Sequence, residues 1–263
     1  MKEVRALLLA AGLGTRLQPL THSCPKCLMP IGGRPLLEHW LCVLYKNGIT
    51  NVLVNIHHHR TLVESFLARN QFQGWVYGAY EPRLLGTAGT LRQNREFFED
   101  QPVLLIHADN WCQCDFSEFL GFHSNRRPPG TSITMMTFRT SSPATCGIVE
   151  VDGKGVVQNF HEKIDDPPGN LANGAVYLLE PEVSAWIREH PLVKDFSTEV
   201  VPQFLGRIAT WQNRGIHRDI GVIRSFLAAQ FDPRPNLCWG ALDAWSQAFE
   251  GHPVHRQLAV KLG

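Results

Sequence analysis

Three features are missing from this 263-residue sequence, and each absence excludes a class of protein. Its 25 basic and 24 acidic residues leave a net charge of +1, so no field draws the chain to nucleic acid or to an anionic membrane. The longest apolar run near the start, residues 6–11, is far shorter than the roughly 18 residues that span a bilayer. We therefore expect no nucleic-acid partner and no membrane partner.

The start of the sequence also has no pattern of a secretory signal. Glu3 interrupts the basic lead, and residues 6–11 are short for a signal-peptide core. The seven cysteines, an odd number, then favour reduced thiols in a cytoplasmic protein. A hydrophobic content of 44% with 19% charged residues is typical of a globular protein that buries a large core.

Strand and helix patterns alternate through the first half of the chain. Leucine-rich or β-branched runs predict strands over residues 4–10, 51–56 and 103–107. Helical patterns cover residues 35–47, 61–70, 87–98 and 116–125. Such alternation predicts an α/β protein whose mostly parallel sheet is covered on both faces.

The pattern changes after Pro128-Pro129-Gly130. Strand patterns with few helices between them cover residues 132–138, 147–151, 156–162 and 172–179. These predict a smaller antiparallel or mixed extension that forms a lid or a substrate wall. Helical patterns resume over residues 182–189 and 198–205, before a short strand at 207–211 and a helix after Gly221.

The first predicted strand ends in a loop that suits a triphosphate. Gly12 and Gly14 let backbone N–H groups approach phosphate oxygens, while Arg16 and Lys26 supply fixed positive charge. The loop has Leu17 where a dinucleotide fold needs a third glycine, and it lacks the Gly-Lys-Ser/Thr of a P-loop. We expect Lys26 to be exposed in this loop, so that Lys26→Ala costs turnover more than folding.

Two aspartates are candidate metal ligands. Asp109 and Asp219 each lie just past a predicted strand, where carboxylates project into the crevice at the carboxyl ends of a sheet. Mg²⁺ prefers oxygen ligands and is usually completed by water and substrate phosphates, so two carboxylates suffice to hold it. Asp109 and Asp219 are thus candidates to hold Mg²⁺ as a cofactor, and the alternative for either one alone is a capping or turn aspartate.

The loop string Gly-Leu-Gly-Thr-Arg-Leu-Gln-Pro-Leu-Thr, residues 12–21, closely resembles that of the sugar-1-phosphate nucleotidyltransferases. Further matching strings follow in the family's order at residues 25–26, 30–36, 81–82, 85–91, 107–110, 147–149, 162–163, 170–173 and 219–221. The resemblance covers roughly residues 1 to 230. It implies a Rossmann-like three-layer α/β/α nucleotidyltransferase fold, with a mixed, mostly parallel central sheet and a smaller antiparallel sugar-binding extension.

The resemblance also implies roles for individual residues. The catalytic residues would be Arg16, Lys26, Asp109, Lys163 and Asp219, with the metal on Asp109 and Asp219. The nucleotide would be bound by Leu9, Ala11, Gly12, Gly14, Thr15, Arg16, Lys26, Gly86, Thr87 and Gly89. The sugar phosphate would be bound by Asn110, Gly147, Glu162, Lys163 and Asn173.

The substrates implied are a nucleoside triphosphate and a sugar 1-phosphate. The string Leu85-Gly86-Thr87-Ala88-Gly89 is most like those of the mannose-1-phosphate and heptose-1-phosphate guanylyltransferases, which favours GTP. The alternative is a uridylyl- or thymidylyltransferase acting on a hexose or amino-sugar 1-phosphate. A different class, a catalytically silent regulatory subunit that binds a nucleotide-sugar, is disfavoured because the charged residues of the family pattern are all present.

Three departures from the family pattern stand out. Ala108 replaces the glycine that usually precedes the metal aspartate, and Ile164 replaces a proline after Glu162-Lys163. The small residues after Asn173 run Gly-Ala, whereas guanylyl members commonly have Ala then Gly.

The remaining expectations concern domain limits and reactive side chains. We predict a catalytic domain over residues 1–231 and a helical tail over 232–263 that packs on the domain or forms a homodimer contact. Cys24 and Cys27 flank Lys26, so a reactive thiol is a better interpretation than a zinc site built with the histidines of residues 57–59.

Overall fold

The computed structural model describes residues 3–236, 238–239 and 243–263. The chain divides into two units. The first unit contains Met1–Leu7, Leu85–Ile106 and Cys114–Gly215, and the second contains Leu8–Leu84, His107–Gln113 and Ile216–Gly263. Residues 1–2 of the predicted catalytic domain, and residues 237 and 240–242 of the predicted tail, lie outside the described residues.

The described residues form both strands and helices. The strands are β1 Arg5–Leu9, β2 Pro30–Ile31, β3 Arg34–Pro35, β4 Val52–Ile56, β5 Val76–Tyr80, β6 Val103–His107, β7 Asn110–Gln113, β8 Ile133–Arg139, β9 Gly147–Val151, β10 Val157–Glu162, β11 Leu171–Leu179, β12 Ile208–Gln212 and β13 Ile216–Asp219. The α-helices are α1 Leu36–Lys46, α2 Arg60–Leu67, α3 Thr87–Gln93, α4 Arg95–Phe98, α5 Phe116–Asn125, α6 Pro181–Glu189, α7 Ile223–Ala229, α8 Ala244–Glu250 and α9 Pro253–Leu262.

The strands of the first unit pair mainly in antiparallel fashion. They run in the order β10-β9-β11-β6, and β8 pairs with β11 on one side and, in parallel, with β12 on the other. The nine-residue strand β11 is the centre of this arrangement because it pairs with β6, β8 and β9. The antiparallel extension predicted from the sequence is confirmed.

The second unit contains a parallel pair and a separate ribbon. β4 and β5 are parallel, with Val52 opposite Val76 and Ile56 opposite Tyr80, and every residue of β4 is buried. β7 and β13 form a two-stranded antiparallel ribbon. The α/β class with a mixed sheet, as predicted, is confirmed in the described part of the chain.

Several predicted elements differ in detail. The predicted helix over 87–98 is two helices, because the Asn94 side chain donates to Thr90 O at 2.9 Å and the backbone breaks there. The predicted helix over 198–205 is a π turn, Phe196–Val200, followed by a 3-10 turn with a proline at its start, which cannot donate a helical hydrogen bond. Strands β5, β7 and β13 were missed: β7 and β13 are short and largely polar, and β5, Val-Tyr-Gly-Ala-Tyr, is short and has a glycine at its centre.

No helix among the residues that the structure describes is long and apolar enough to cross a membrane.

Two buried histidines, one in each unit, make stability depend on pH. Burial lowers the pKa of His39 and of His123 from the ordinary 6.5 to about 4. Between about pH 6.5 and 4 the unfolded chain binds protons that the folded chain does not, so the free energy of unfolding falls as pH drops through this window. Between neutral pH and pH 4, protonation of each histidine in the unfolded chain is expected to lower the free energy of unfolding by up to about 3 kcal/mol.

Urea unfolding between pH 4.5 and 7.5 checks this dependence. Replacing the buried imidazole in His39→Asn should flatten the profile, whereas His190→Asn, at an exposed histidine, should leave it as steep as in the wild type. Equal profiles for all three proteins would contradict the assignment.

Candidate active site

A buried amide shapes the loop that follows β1. Asn55, on β4, accepts hydrogen bonds from the backbone N–H groups of Ala10 at 2.6 Å and Ala11 at 3.1 Å. Its Nδ2 donates to the buried Glu81 carboxylate at 3.1 Å. Because Asn55 uses these two N–H groups, donors for a phosphate must come from Gly12 onward. Sequence reasoning missed Asn55, since β4 is otherwise an apolar run.

The turn at Gly14 requires glycine. Its φ is +63°, and a Cβ there would lie 2.8 Å from the Thr21 side chain. Thr21 Oγ1 donates to Gly14 O at 2.9 Å, and a 3-10 turn, Thr15–Leu17, begins directly after it. The turn leaves Thr15 and Arg16 exposed to solvent, where a bound anion would meet them.

The centre of the site is a lysine shared by two carboxylates, all within the second unit. Lys26 Nζ lies 2.7 Å from Asp109 Oδ2 and 3.0 Å from Asp219 Oδ1. Arg16 Nη2 lies 3.6 Å from the other oxygen of Asp219. The Lys26 side chain is only 6% exposed, so the expectation of an exposed loop lysine was wrong: the two carboxylates draw its ammonium inward.

Asp109 is held in its ionised form. Burial opposes its ionisation, but the Lys26 ammonium and then His107 outweigh that effect, so the pKa of Asp109 lies below its usual value. Asp219 ends β13, directly opposite Asn110 on β7, and does not follow the strand at 207–211 as expected. Both carboxylates therefore converge on one cation from different parts of the chain.

This donor set suits a hard divalent cation. Two carboxylates bonded to the same nitrogen lie close enough together to share one ion, and their oxygens are the ligands that Mg²⁺ prefers. The residues present therefore fit the metal that the sequence predicted.

Sequence reasoning also missed the role of Gly221. Its N–H donates to Asp219 Oδ1 at 2.7 Å. A Cβ at this position would lie 2.7 Å from that same oxygen, 2.8 Å from Arg16 Nη2 and 2.9 Å from Lys26 Nζ. A side chain at residue 221 would therefore force the charged ends of Asp219, Arg16 and Lys26 to shift.

In the first unit, three predicted sugar-phosphate residues lie together. Gly147 on β9 is opposite Glu162 on β10, and a Cβ on Gly147 would lie 2.7 Å from Glu162 Oε2. Lys163 adopts a left-handed φ of +51°, and its exposed Nζ lies 3.0 Å from Glu162 Oε1. The strand end thus presents one lysine and one glutamate at a glycine that leaves space for them.

Asn173, also in the first unit, is occupied in shaping β11. Its Oδ1 accepts from Ala175 N at 2.9 Å and its Nδ2 donates to Tyr177 Oη at 2.5 Å, where the pairing with β8 is interrupted. Ala175 has a φ of +51°, a conformation that favours glycine, so the exchanged order of small residues places a strained alanine in this turn. Burial raises the pKa of Tyr177 to about 12, which keeps this hydroxyl protonated.

The predicted base-facing residues start helix α3 of the first unit. Gly86 has a φ of +79°, and a Cβ there would lie 2.5 Å from Lys194 O. The same carbonyl accepts from Ala88 N at 2.8 Å and Gly89 N at 3.3 Å. Thr87 Oγ1 accepts from Phe196 N at 2.6 Å. These contacts give the glycine-rich string a local structural reason.

The cysteines of the loop are not reactive thiols. Cys24 and Cys27 are buried, and burial raises the pKa of both, to about 12 for Cys27. The expectation of a reactive thiol here was wrong, because both side chains lie in the core: Cys24 is 0% and Cys27 1% exposed. The three histidines at 57–59 each bond to a backbone carbonyl, of Glu81 or of Thr21.

The fold and the charged cluster define the class: an α/β protein with a glycine loop, a central lysine and two converging carboxylates. The chain belongs to the nucleotidyl transferase family, whose model matches residues 5–234. This confirms the resemblance drawn from the sequence.

Two relatives with similar sequences are named mannose-1-phosphate guanyltransferases. The chain is 27% identical over 231 residues to a mannose-1-phosphate guanyltransferase of Debaryomyces hansenii, covering 86% of this chain and 63% of that protein. It is 28% identical over 231 residues to mannose-1-phosphate guanyltransferase beta-A of Xenopus laevis, covering 85% of this chain and 63% of that protein. The chain thus spans less than two thirds of the length of these relatives.

A solved structure shares the fold. It is a Bacillus anthracis chain described as a glucose-1-phosphate thymidylyltransferase, with a TM-score of 0.76 and 22% identity, covering 86% of this chain and 94% of that one. The predicted nucleotidyltransferase fold is confirmed by this likeness.

Proposed function

We propose that the chain is a sugar-1-phosphate nucleotidyltransferase that uses GTP and a mannose- or heptose-type sugar 1-phosphate. The observation that carries the proposal is the Lys26 ammonium shared by Asp109 and Asp219, beside a glycine loop, in a chain of the nucleotidyl transferase family. GTP and mannose 1-phosphate are favoured because several relatives are named mannose-1-phosphate guanyltransferases.

The proposed reaction is an in-line displacement at phosphorus. An oxygen of the sugar 1-phosphate attacks the α-phosphorus, a new P–O bond forms, and the bond to the bridging oxygen of the β-phosphate breaks to release pyrophosphate. The attacking phosphate is already anionic at neutral pH, so no protein base has to remove a proton. Catalysis then consists of positioning two polyanions and neutralising their charge.

The second unit has the groups for the nucleotide side of this reaction. Lys26 would hold the α-phosphate and Arg16 the departing pyrophosphate, each by adding positive charge where negative charge develops. When bound by Asp109 and Asp219, Mg²⁺ supplies further neutralisation of phosphate charge. Gly12, Gly14 and Thr15 would present backbone donors to the phosphates.

The first unit has groups for the sugar. Lys163 would bind the phosphate of the sugar 1-phosphate, and Glu162 would accept hydrogen bonds from sugar hydroxyls. The left-handed φ of Lys163 supports this assignment, and so does the absence of a side chain at Gly147, where the Glu162 carboxylate and the Phe160 ring would meet a Cβ at 2.7 and 2.6 Å.

The test is pyrophosphate release with Mg²⁺ across GTP, UTP, dTTP, CTP and ATP, each paired with mannose, glucose, N-acetylglucosamine and heptose 1-phosphates. Release with GTP and a mannose- or heptose-type phosphate supports the proposal. Release with UTP or dTTP keeps the reaction and overturns the base assignment. No release with any pair favours a regulatory subunit that binds a nucleotide-sugar.

Gly221→Ala is expected to lower turnover by about 100-fold, because the added methyl must push apart the three charged groups that meet at this glycine. Steady-state pyrophosphate release measures the effect, and circular dichroism checks that the variant is folded. Gly153→Ala is the matched control, since a Cβ at Gly153 meets nothing within 4 Å. Turnover within threefold of the wild type in Gly221→Ala would contradict the close packing of the cluster.

A further inference from the structure

The ribbon formed by β7 and β13 carries two predicted site residues at one end. Asn110 and Asp219 lie opposite each other, and the next pair along the ribbon is Trp111 and Arg218. A two-stranded ribbon has little stability of its own, so something else must hold this one in place.

Asp232 contacts both members of the second pair. Its two oxygens accept from Arg218 in a bidentate pair, with Arg218 Nε at 2.7 Å from Oδ2 and Nη2 at 2.8 Å from Oδ1. Oδ2 also accepts from Trp111 Nε1 at 3.0 Å. The Asp232 side chain is 8% exposed and Trp111 is 1% exposed, so these bonds are largely shielded from water.

The register places these contacts next to the cation site. Successive side chains of a strand alternate between its faces, so the face that bears Trp111 and Arg218 is the reverse of the one that bears Asn110 and Asp219. Asp232 therefore bonds both strands on the face opposite to the one that bears Asp219. Its partner Arg218 directly precedes Asp219, whose carboxylate bonds Lys26.

Neighbouring contacts continue the same attachment. Gln113 Nε2 donates to Pro233 O at 2.6 Å, and Trp40 Nε1 donates to Asn110 O at 2.9 Å. The His39 ring meets the Trp111 ring edge-on, with centroids 4.8 Å apart. Among these groups that attach to the ribbon, Asp232 is the one that carries a charge. Its bidentate pair with Arg218 fixes the orientation of the arginine as well as its distance.

We propose that Asp232 is a positioning residue for the cation site: by bonding Arg218 and Trp111 across the ribbon, it holds Asp219 where its carboxylate and that of Asp109 converge. This inference rests on the proposed function, in which those two carboxylates bind a divalent metal. It extends the site to a residue that the sequence pattern places at the start of the tail.

Asp232→Asn keeps the shape of the side chain and removes its charge. The amide can accept at one oxygen only, so it cannot serve both nitrogens of Arg218 and the Trp111 indole as the carboxylate does. The Arg218 guanidinium, which is 38% exposed, is then free to turn to solvent. Loss of an outer contact of this kind typically weakens metal binding by about 10-fold or more.

Two measurements on the full chain test the proposal. Binding of Mn²⁺ alone, followed by electron paramagnetic resonance, is expected to weaken about 10-fold in Asp232→Asn. Hydrogen–deuterium exchange is expected to speed up in peptides that contain β7 and β13. Asp243→Asn is the matched control, because Asp243 also bonds an arginine of the second unit, Arg69 at 2.7 Å, and accepts from Gln71 and Ser246, which lie outside the ribbon. It should lower stability and leave Mn²⁺ binding unchanged.

The outcomes separate the two hypotheses. Wild-type Mn²⁺ binding and ribbon exchange in Asp232→Asn would overturn the positioning role, and so would equal weakening of Mn²⁺ binding in Asp232→Asn and Asp243→Asn. If Asp219→Asn binds Mn²⁺ as well as the wild type does, the proposed metal site itself fails. Ribbon exchange in Asp232→Asn then still shows whether Asp232 holds the two strands.

Discussion

Replacing Lys26 with alanine is expected to lower turnover by about 100- to 1,000-fold, the usual cost of removing one preorganised group that stabilises developing charge. The ammonium bonds Asp109 at 2.7 Å and Asp219 at 3.0 Å, and in the proposed reaction it also holds the α-phosphate. Without it, two carboxylates face the incoming triphosphate with no lysine between them. Pyrophosphate release at saturating substrate measures the loss.

The same variant should lose a smaller amount of stability. The Lys26 side chain is buried, but its partners Asp109 and Asp219 are 37% and 53% exposed, so water can solvate both carboxylates once the lysine is gone. We expect a fall of about 1 kcal/mol in the free energy of unfolding, the typical net contribution of one hydrogen bond. Lys154→Ala, in the exposed turn between β9 and β10, is the control and should change neither quantity. A folded Lys26→Ala protein with turnover within tenfold of the wild type would exclude the proposed role.

Arg69→Ala is expected to cost about 3 kcal/mol of unfolding free energy, because it leaves the buried Glu38 carboxylate with only the longer 3.4 Å contact to Arg34. Arg69 is 2% exposed and bonds Glu38, itself 0% exposed, at 2.8 Å. Its other nitrogens donate to Asp243 at 2.7 Å and Ser246 at 2.9 Å. The guanidinium also lies 5.2 Å from the ring centroids of Phe66, Phe72 and Trp245.

Urea unfolding measures this effect, and two further variants sharpen it. Arg60→Ala removes an arginine at the start of α2, the helix that ends just before Arg69; its partner, Glu64, is exposed, so the change should alter stability little. Combining Arg69→Ala with Glu38→Gln should recover part of the lost stability, because the buried Glu38 carboxylate, which has lost its closest arginine, is then replaced by a neutral amide. A change below about 1 kcal/mol in Arg69→Ala alone would show that the pair is not buried in solution.

The sequence determined the α/β class and the position of the phosphate loop. The strands predicted over 4–10, 51–56 and 103–107 are β1, β4 and β6, because runs of apolar residues leave few alternatives to a buried strand. The glycine loop could also be predicted from the local sequence, because the positive φ at residue 14 requires a glycine and the glycine-rich string already indicates a turn there. The family resemblance also pointed to Asp109 and Asp219, which the structure brings to the same lysine.

Tertiary structure alone decided how that loop is completed. Lys26 meets carboxylates 83 and 193 positions away along the chain, and these contacts, not the polarity of the loop, bury it. Asn55 and Asp232 gave no local signal, and the string at 219–221 matched the family without showing what Gly221 does, because each of these residues matters for the atoms that other parts of the chain place beside it. Local patterns fix backbone conformation over a few residues, whereas the burial and pairing of a charged side chain depend on elements that meet only after the chain has folded.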